Sequence, residues 1–256
     1  MATALITGPT SGIGTGFAEA LARRGMDLVL VARDEDRLIG LAGRLQAEHG
    51  IACEVLVADL SVRADVDRVA TRIAARPVTF LVNNAGFGLH QPFAATDVED
   101  EQRMLDVLVV AVMRLTHAVL PGMIARGRGA IVNVSSVAGW TTRGTYAAAK
   151  SWVTVFSESL AQQHVADGVR VVAVCPGFTH TEFHERAGVD MAQVPEWLWL
   201  SVDEVVDQAL RDLARRRPVS VAGAQYRVLA SLLRHAPRGL MTTAAALTRD
   251  PRSRRR

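Results

Sequence analysis

Tyr146 and Lys150 stand four residues apart in a segment that reads as helix, so their side chains share one face. A phenol with a reference pKa near about 10 keeps one protonation state at neutral pH and exchanges protons poorly. Bringing it to about 7 requires roughly 4 kcal/mol, and one unit charge about 4 Å away supplies a similar amount at an effective dielectric near 20. An ammonium beside the ring can therefore tune it, with desolvation opposing part of the shift. Of 29 basic residues 28 are arginine, the single lysine is Lys150, and only two tyrosines are present. Chance placement of that lysine four after a tyrosine is on the order of one in a hundred. This pair is the strongest local signal in the chain.

A second constellation is Thr7-Gly8-Pro9-Thr10-Ser11-Gly12-Ile13-Gly14, set between an apolar run and a helical pattern. Glycines let the backbone approach a pyrophosphate closely, and a helix N-terminus adds free N–H groups and a positive dipole. A glycine-rich turn alone is weak evidence; the strand–turn–helix context strengthens it.

These residues need a scaffold, and the hydrophobic pattern supplies one. Short apolar runs at 2–7, 27–32, 54–58, 79–82, 130–133 and 169–174 alternate with helical segments, including 12–24 and one through the late forties. That rhythm predicts the α/β class: a doubly wound parallel sheet of Rossmann type, covered on both faces, in a single domain over 1–247. After Pro176-Gly177 the periodicity fades, and 178–200 reads as a substrate loop with a short helix over the site. A helix near 202–215, a strand at 219–221, an amphipathic segment over 225–247 and a solvated basic tail at 248–256 complete the prediction. Apolar residues all round 104–120 predict a buried helix there.

Composition narrows the function classes. At 256 residues and 49% apolar, the chain can fill one large core and does not read as disordered. No unbroken apolar run approaches the roughly 18 residues of a membrane span, and the first residues lack the basic start of a signal peptide. Cys53 and Cys175 form no paired motif, so neither a disulfide framework nor a metal site is expected, and a reducing cytoplasm is the default. Residues 201–256 carry 12 arginines against 5 acidic residues, whereas 1–200 is net acidic. The basic end reads as a solvated tail rather than a nucleic-acid surface.

The motif set resembles the short-chain dehydrogenase/reductase family from Thr3 to about Thr181. The pieces are TGxxxGIG at 7–14, Asp59-Leu60, Asn83-Asn84-Ala85-Gly86, Ser135-Ser136, Tyr146-xxx-Lys150 and Pro176-Gly177, all in the family's order. The resemblance implies hydride transfer between a nicotinamide cofactor and a carbonyl carbon. Tyr146 would then be the acid/base, Lys150 would lower its pKa and hold the nicotinamide ribose, and Ser136 would steady the substrate oxygen. Ser135 is the adjacent candidate; Ser136 is preferred because it fills the family's second-serine position. Gly8, Ser11, Gly12, Ile13 and Gly14 would cradle the phosphates, Asp59 and Leu60 would border the adenine, and Asn84, Ala85 and Gly86 would line the cleft. Thr179 and Thr181, beyond Pro176 and Gly177, would reach the carboxamide. Arg33 falls where an acid would bind the ribose of NAD, and its fork suits a 2′-phosphate, so NADP(H) is expected, with NAD the alternative. A homodimer or homotetramer paired through the 104–120 helix and the next is also implied.

Two departures stand out. Leu108 occupies the position where the family usually has an asparagine that holds a relay water, and leucine cannot bind that water. Turnover with slowed or rerouted proton resupply is expected; an NADP-binding regulatory or scaffold protein with impaired catalysis is the alternative. The stretch from Ser136 to Tyr146 is about three residues shorter than usual, and Arg143 within it reads as solvent-facing or as a contact for an acidic substrate group. Trp140, Phe183, Trp197 and Trp199, with Phe87, predict a bulky apolar substrate, although packing of the variable loop would explain them equally. A peripheral membrane contact through 225–247 is a third reading, weakened by Pro237.

Overall fold

The computed structural model describes residues 2–89, 91–142, 144–182 and 194–235. Its strands are β1 (Thr3–Thr7), β2 (Asp27–Ala32), β3 (Cys53–Val57), β4 (Phe80–Asn83), β5 (Gly129–Val134), β6 (Val169–Val174) and β7 (Val219–Ser220). All pair in parallel, in the order β3-β2-β1-β4-β5-β6-β7. The doubly wound, Rossmann-type sheet expected from the sequence is present.

The strands are parallel because they are apolar on both faces, which suits them to burial under helices on each side. Alternate residues divide between two cores. Leu5, Val29, Leu81 and Ile131 face α3 (Arg63–Ala75), α5 (Val112–Ala125) and α6 (Gly144–Gln163). Ile6, Leu30, Val82 and Val132 face α1 (Gly12–Ala22), α2 (Glu35–His49) and α7 (Val202–Ala214). Local signals fix the helix ends. Asp34 caps α2 by accepting from the Arg37 N–H at 3.1 Å, Gly50 ends it at φ 65°, and Ser201 with Glu204 forms a capping box on α7.

One expectation needs correction. The 104–120 segment is not a uniformly buried helix. It belongs to a run comprising α4 (Val98–Leu105), a π-helical turn at Asp106–Ala111 and α5. Val107, Ala111, Leu115, Val119 and Met123 form the buried stripe, while Met113 is 42% and Ile124 38% exposed. A helix lying on a sheet has one face to bury, and composition alone cannot say which apolar residues stay outside. By length and composition the 98–125 run would also suffice to cross a bilayer, which a search for unbroken apolar runs misses because Asp106 and Arg114 interrupt it. Here its stripe is built into the sheet core. The C-terminal amphipathic segment appears as α8 (Ala224–His235); the expectations for 236–247 and the 248–256 tail lie outside the described residues.

Candidate active site

The strand order reverses between β1 and β4, and such a reversal opens a crevice beyond the carboxyl ends of the strands. Thr7 ends β1 there. Its hydroxyl oxygen accepts from the N–H groups of Asn84 and Ala85, each at 3.0 Å. The Asn84 amide donates to the carbonyls of Thr7 at 3.1 Å and Gly8 at 2.8 Å. The turn is packed too closely for side chains: a Cβ on Gly14 would fall 2.1 Å from the Gly8 carbonyl oxygen. Gly8 and Gly12 adopt φ of 63° and 54°, which favours glycine at both. Ser11 caps α1 in an extended conformation without a side-chain cap bond. The first turn of α1 therefore offers backbone donors rather than a filled cap, and the cradle fits a dinucleotide pyrophosphate.

Further out, Arg33 follows β2 and lies 3.8 Å from the Asp59 carboxylate, with 77% of its side chain exposed. Burial pushes the Asp59 carboxyl up, but hydrogen bonds from Ser61 and the charges of Arg33 and Arg103 outweigh it, leaving Asp59 below its ordinary value. Leu60 beside it is buried.

The candidate catalytic side chains lie just after β5 and on α6. Ser136 caps the short 3-10 helix Val137–Trp140, accepts from the Ala138 N–H at 3.1 Å, and shares a side-chain hydrogen bond with Tyr146. Lys150 is 5% exposed, its Nζ donating to the Val134 carbonyl at 2.8 Å and lying 5.7 Å from the Tyr146 ring centre. Ser135 faces the other way, its Oγ 2.7 Å from both the Lys150 carbonyl and the Thr154 hydroxyl. It fastens α6 to the end of β5. Behind it, Asn133 donates to Ser157 at 2.9 Å and accepts from Asn83 at 2.8 Å, so four buried polar side chains, Thr116 included, anchor the same corner.

The electrostatics run against one expectation. Burial pushes Tyr146 up to about 12, with the Ser136 hydrogen bond only partly offsetting it. Lys150 is pushed down to about 8, again by burial, with Cys175 acting weakly the other way. Lys150 thus does not bring the phenol toward neutrality in this state, because both groups have lost solvent together and the ammonium is engaged by a carbonyl. At pH 7 the pair is a neutral phenol beside an ammonium.

Leu108, on the π-helical turn, is 1% exposed and packs with Met104 and Ala149 next to Tyr146. A Cβ on Gly86 would lie 2.7 Å from the Leu108 methyl and 3.8 Å from Lys150 Nζ. The leucine therefore closes the side of the cleft where a polar group would meet the ammonium.

This chain matches the short chain dehydrogenase family over residues 2–191. It belongs to that family. Over 189 residues it is 34% identical to the very-long-chain 3-oxoacyl-CoA reductase of Anas platyrhynchos, covering 71% of this chain and 61% of that relative. Solved structures resemble nearly all of it, among them the following two. A short-chain dehydrogenase from Sphingobium yanoikuyae in complex with NADPH has a TM-score of 0.83 at 39% identity, covering 94% of this chain and 96% of that one. A bulky-bulky ketone specific alcohol dehydrogenase from Comamonas testosteroni has a TM-score of 0.79 at 34% identity, covering 94% of each.

Within this short-chain dehydrogenase the residues singled out by motif gather at one end of the sheet. The two asparagines divide the work: Asn83 belongs to the buried polar corner and Asn84 braces the glycine turn. Thr181 abuts the same turn, since a Cβ on Gly12 would fall 2.7 Å from its methyl, and Thr179 is buried at the next bend. The aromatic rim is less uniform. Trp199 is stacked on His180 at 4.6 Å and leans on Phe178, whereas Trp197 is 67% exposed and Trp140 half-buried. Phe183 and Arg143 lie outside the described residues. Motif reading also passed over Tyr226, whose hydroxyl bonds the Phe178 N–H and the Leu198 carbonyl. As one of two tyrosines, within an amphipathic segment, it offered only its rarity as a signal.

Proposed function

We propose that this protein is an NADP(H)-dependent carbonyl reductase acting on a bulky apolar ketone. The carrying observation is the Ser136–Tyr146 hydrogen bond beside a buried Lys150, at the strand ends next to an uncapped glycine turn. Gly8, Ser11, Gly12, Ile13 and Gly14 would hold the pyrophosphate, and Arg33 the 2′-phosphate. Asp59 and Leu60 would flank the adenine, and Asn84 to Gly86, Pro176, Gly177, Thr179 and Thr181 would line the nicotinamide end. When bound, NADPH supplies the hydride that the carbonyl carbon accepts.

The chain's own groups handle the oxygen. Ser136 donates to the carbonyl oxygen and steadies its developing charge. Tyr146, held as a neutral phenol, breaks its O–H bond and gives the proton to that oxygen, which is more basic than phenolate once reduced. Lys150 then stabilises the phenolate until a proton returns. A protonated phenol at neutral pH favours the reducing direction. The substrate class is supported by the bulky-bulky ketone specific alcohol dehydrogenase among the structural neighbours. Exposed Met113, Ile124 and Val155 on α5 and α6 support the pairing of copies through these helices.

The test is NADPH oxidation with a panel of aryl and long-chain ketones. Wild type is expected to turn over at least one bulky ketone, and Tyr146→Phe to lose about 100- to 10,000-fold in kcat while keeping its fold. NADPH binding without turnover of any ketone would instead favour a nucleotide-dependent regulatory protein.

A further inference from the structure

Tyr226 stands on α8, beyond the stretch that matches the family, and is 2% exposed. Its hydroxyl donates to the Leu198 carbonyl at 2.7 Å and accepts from the Phe178 N–H at 3.0 Å. Those residues lie at the two ends of the segment between β6 and α7. The ends are also tied to each other: the Leu200 N–H donates to Phe178 at 2.9 Å, the His180 N–H to Leu200 at 3.1 Å, and Thr179 bridges Leu200. Beneath this knot the phenol ring lies flat on Gly177, where a Cβ would fall 2.0 Å from Tyr226 Cζ. Glycine is needed there for contact with the ring. Four residues on, the Thr181 methyl abuts Gly12 of the phosphate turn. The same helix packs against Val137–Trp140, the turn that follows Ser136.

A continuous path of contacts thus runs from α8 through Tyr226 and the 177–181 segment to the glycine turn. We infer that Tyr226 is a positioning residue. It holds Gly177 to Thr181 against the glycine turn and so sets nucleotide affinity from α8. The hydroxyl is both donor and acceptor, so removing it leaves the Phe178 N–H and the Leu198 carbonyl without that partner, and the ends can separate. The inference rests on the proposed function, since it assumes that NADPH occupies the cradle.

NADPH titration by fluorescence, steady-state kinetics and melting of wild type, Tyr226→Phe, Tyr226→Ala, Gly177→Ala and the double variant Gly177→Ala/Tyr226→Ala test it. Tyr226→Phe is expected to raise the NADPH Kd about tenfold, roughly the loss of one well-placed hydrogen bond, with kcat at saturating NADPH within about threefold of wild type. Gly177→Ala should weaken binding more. Removing the ring should recover part of that loss, so the double variant binds better than the product of the single effects. A Tyr226→Phe protein that binds NADPH like wild type, whether or not its melting point drops, overturns the anchor alone. So does a double variant whose loss equals that product. Wild type failing to bind NADPH overturns the proposed function, and the anchor with it.

Discussion

Two walls meet at Tyr146, and they differ in kind. The wall from β5 and α6 is polar, and its groups are bonded to protein: Ser135 to α6, Ser136 to Tyr146 and Ala138, Lys150 to Val134. The wall from the 98–111 run packs the apolar Met104 and Leu108 against Tyr146, and its buried Glu101 carboxylate is taken up by the Thr145 hydroxyl. The polar wall fixes geometry; the apolar wall removes water. Dehydration moves both titrating groups in the directions seen, the phenol upward and the ammonium downward. Placement by one wall and tuning by the other are separable, and substitutions can separate them.

The largest effect should come from the group both walls act on. Lys150→Met is expected to reduce ketone turnover at least about 100-fold while stabilising the fold by about 1–3 kcal/mol at pH 7, because a buried ammonium is removed at the expense of one hydrogen bond. The pH dependence follows from the shift. Folded Lys150 releases its proton near 8, whereas the unfolded chain keeps it to about 10.5. Across that window the unfolded state binds more protons, so stability rises with pH. Above about 10, Tyr146, raised to about 12, acts in the opposite sense because the folded state then holds the extra proton. Urea unfolding from pH 7 to 10 should show the rise in wild type and not in Lys150→Met. An equal slope in both would remove dehydration of Lys150 from the account.

The two adjacent serines break the polar wall into its parts. Ser136→Ala should lose about 100-fold in kcat with little change in melting, since its partners are Tyr146 and a half-buried cap. Ser135→Ala should do the reverse: about 1–3 kcal/mol of stability lost, because the Lys150 carbonyl and Thr154 lose a buried partner, and kcat per folded molecule within a few-fold of wild type. Kinetics and denaturant midpoints on the same preparations check both. A Ser135→Ala protein that is stable but inactive would exchange their roles.

The sequence carried the sheet because its strands are short apolar runs with no competing period; β2 and β6 fall at the expected residues, and β3 begins one residue early at Cys53. That Ser136, Tyr146 and Lys150 come together was legible too, because their order and spacing survive in one dimension. The sense of the Tyr146 shift was not legible, since it depends on burial by Met104 and Leu108, some forty residues away. Nor could adjacent Asn83 and Asn84 be told apart until β4 turned one into the core and the other toward Gly8. Tyr226 was hidden for a related reason: its partners are backbone atoms 28 and 48 residues distant, and backbone atoms leave no mark in a motif.

Leu108→Asn asks whether the apolar wall does anything besides exclude water, and its effect should be the smallest. Met104 and Ala149 give an amide at this position no bonding partner of their own, so about 1 kcal/mol of stability should be lost unless water follows it in. If proton return to Lys150 limits the cycle, the amide and its water would shorten the route, and kcat with a good ketone substrate should rise by a few-fold to about tenfold. The polar wall is untouched, so KM for the ketone should move less than kcat. Gly86 supplies a control, because a Cβ there would push on the Leu108 methyl without adding a polar atom. Gly86→Ala should therefore lower kcat, or leave it unchanged, where Leu108→Asn raises it. An unchanged kcat in Leu108→Asn would mean that proton return is not limiting and that the leucine serves this site only by keeping Lys150 and Tyr146 dry.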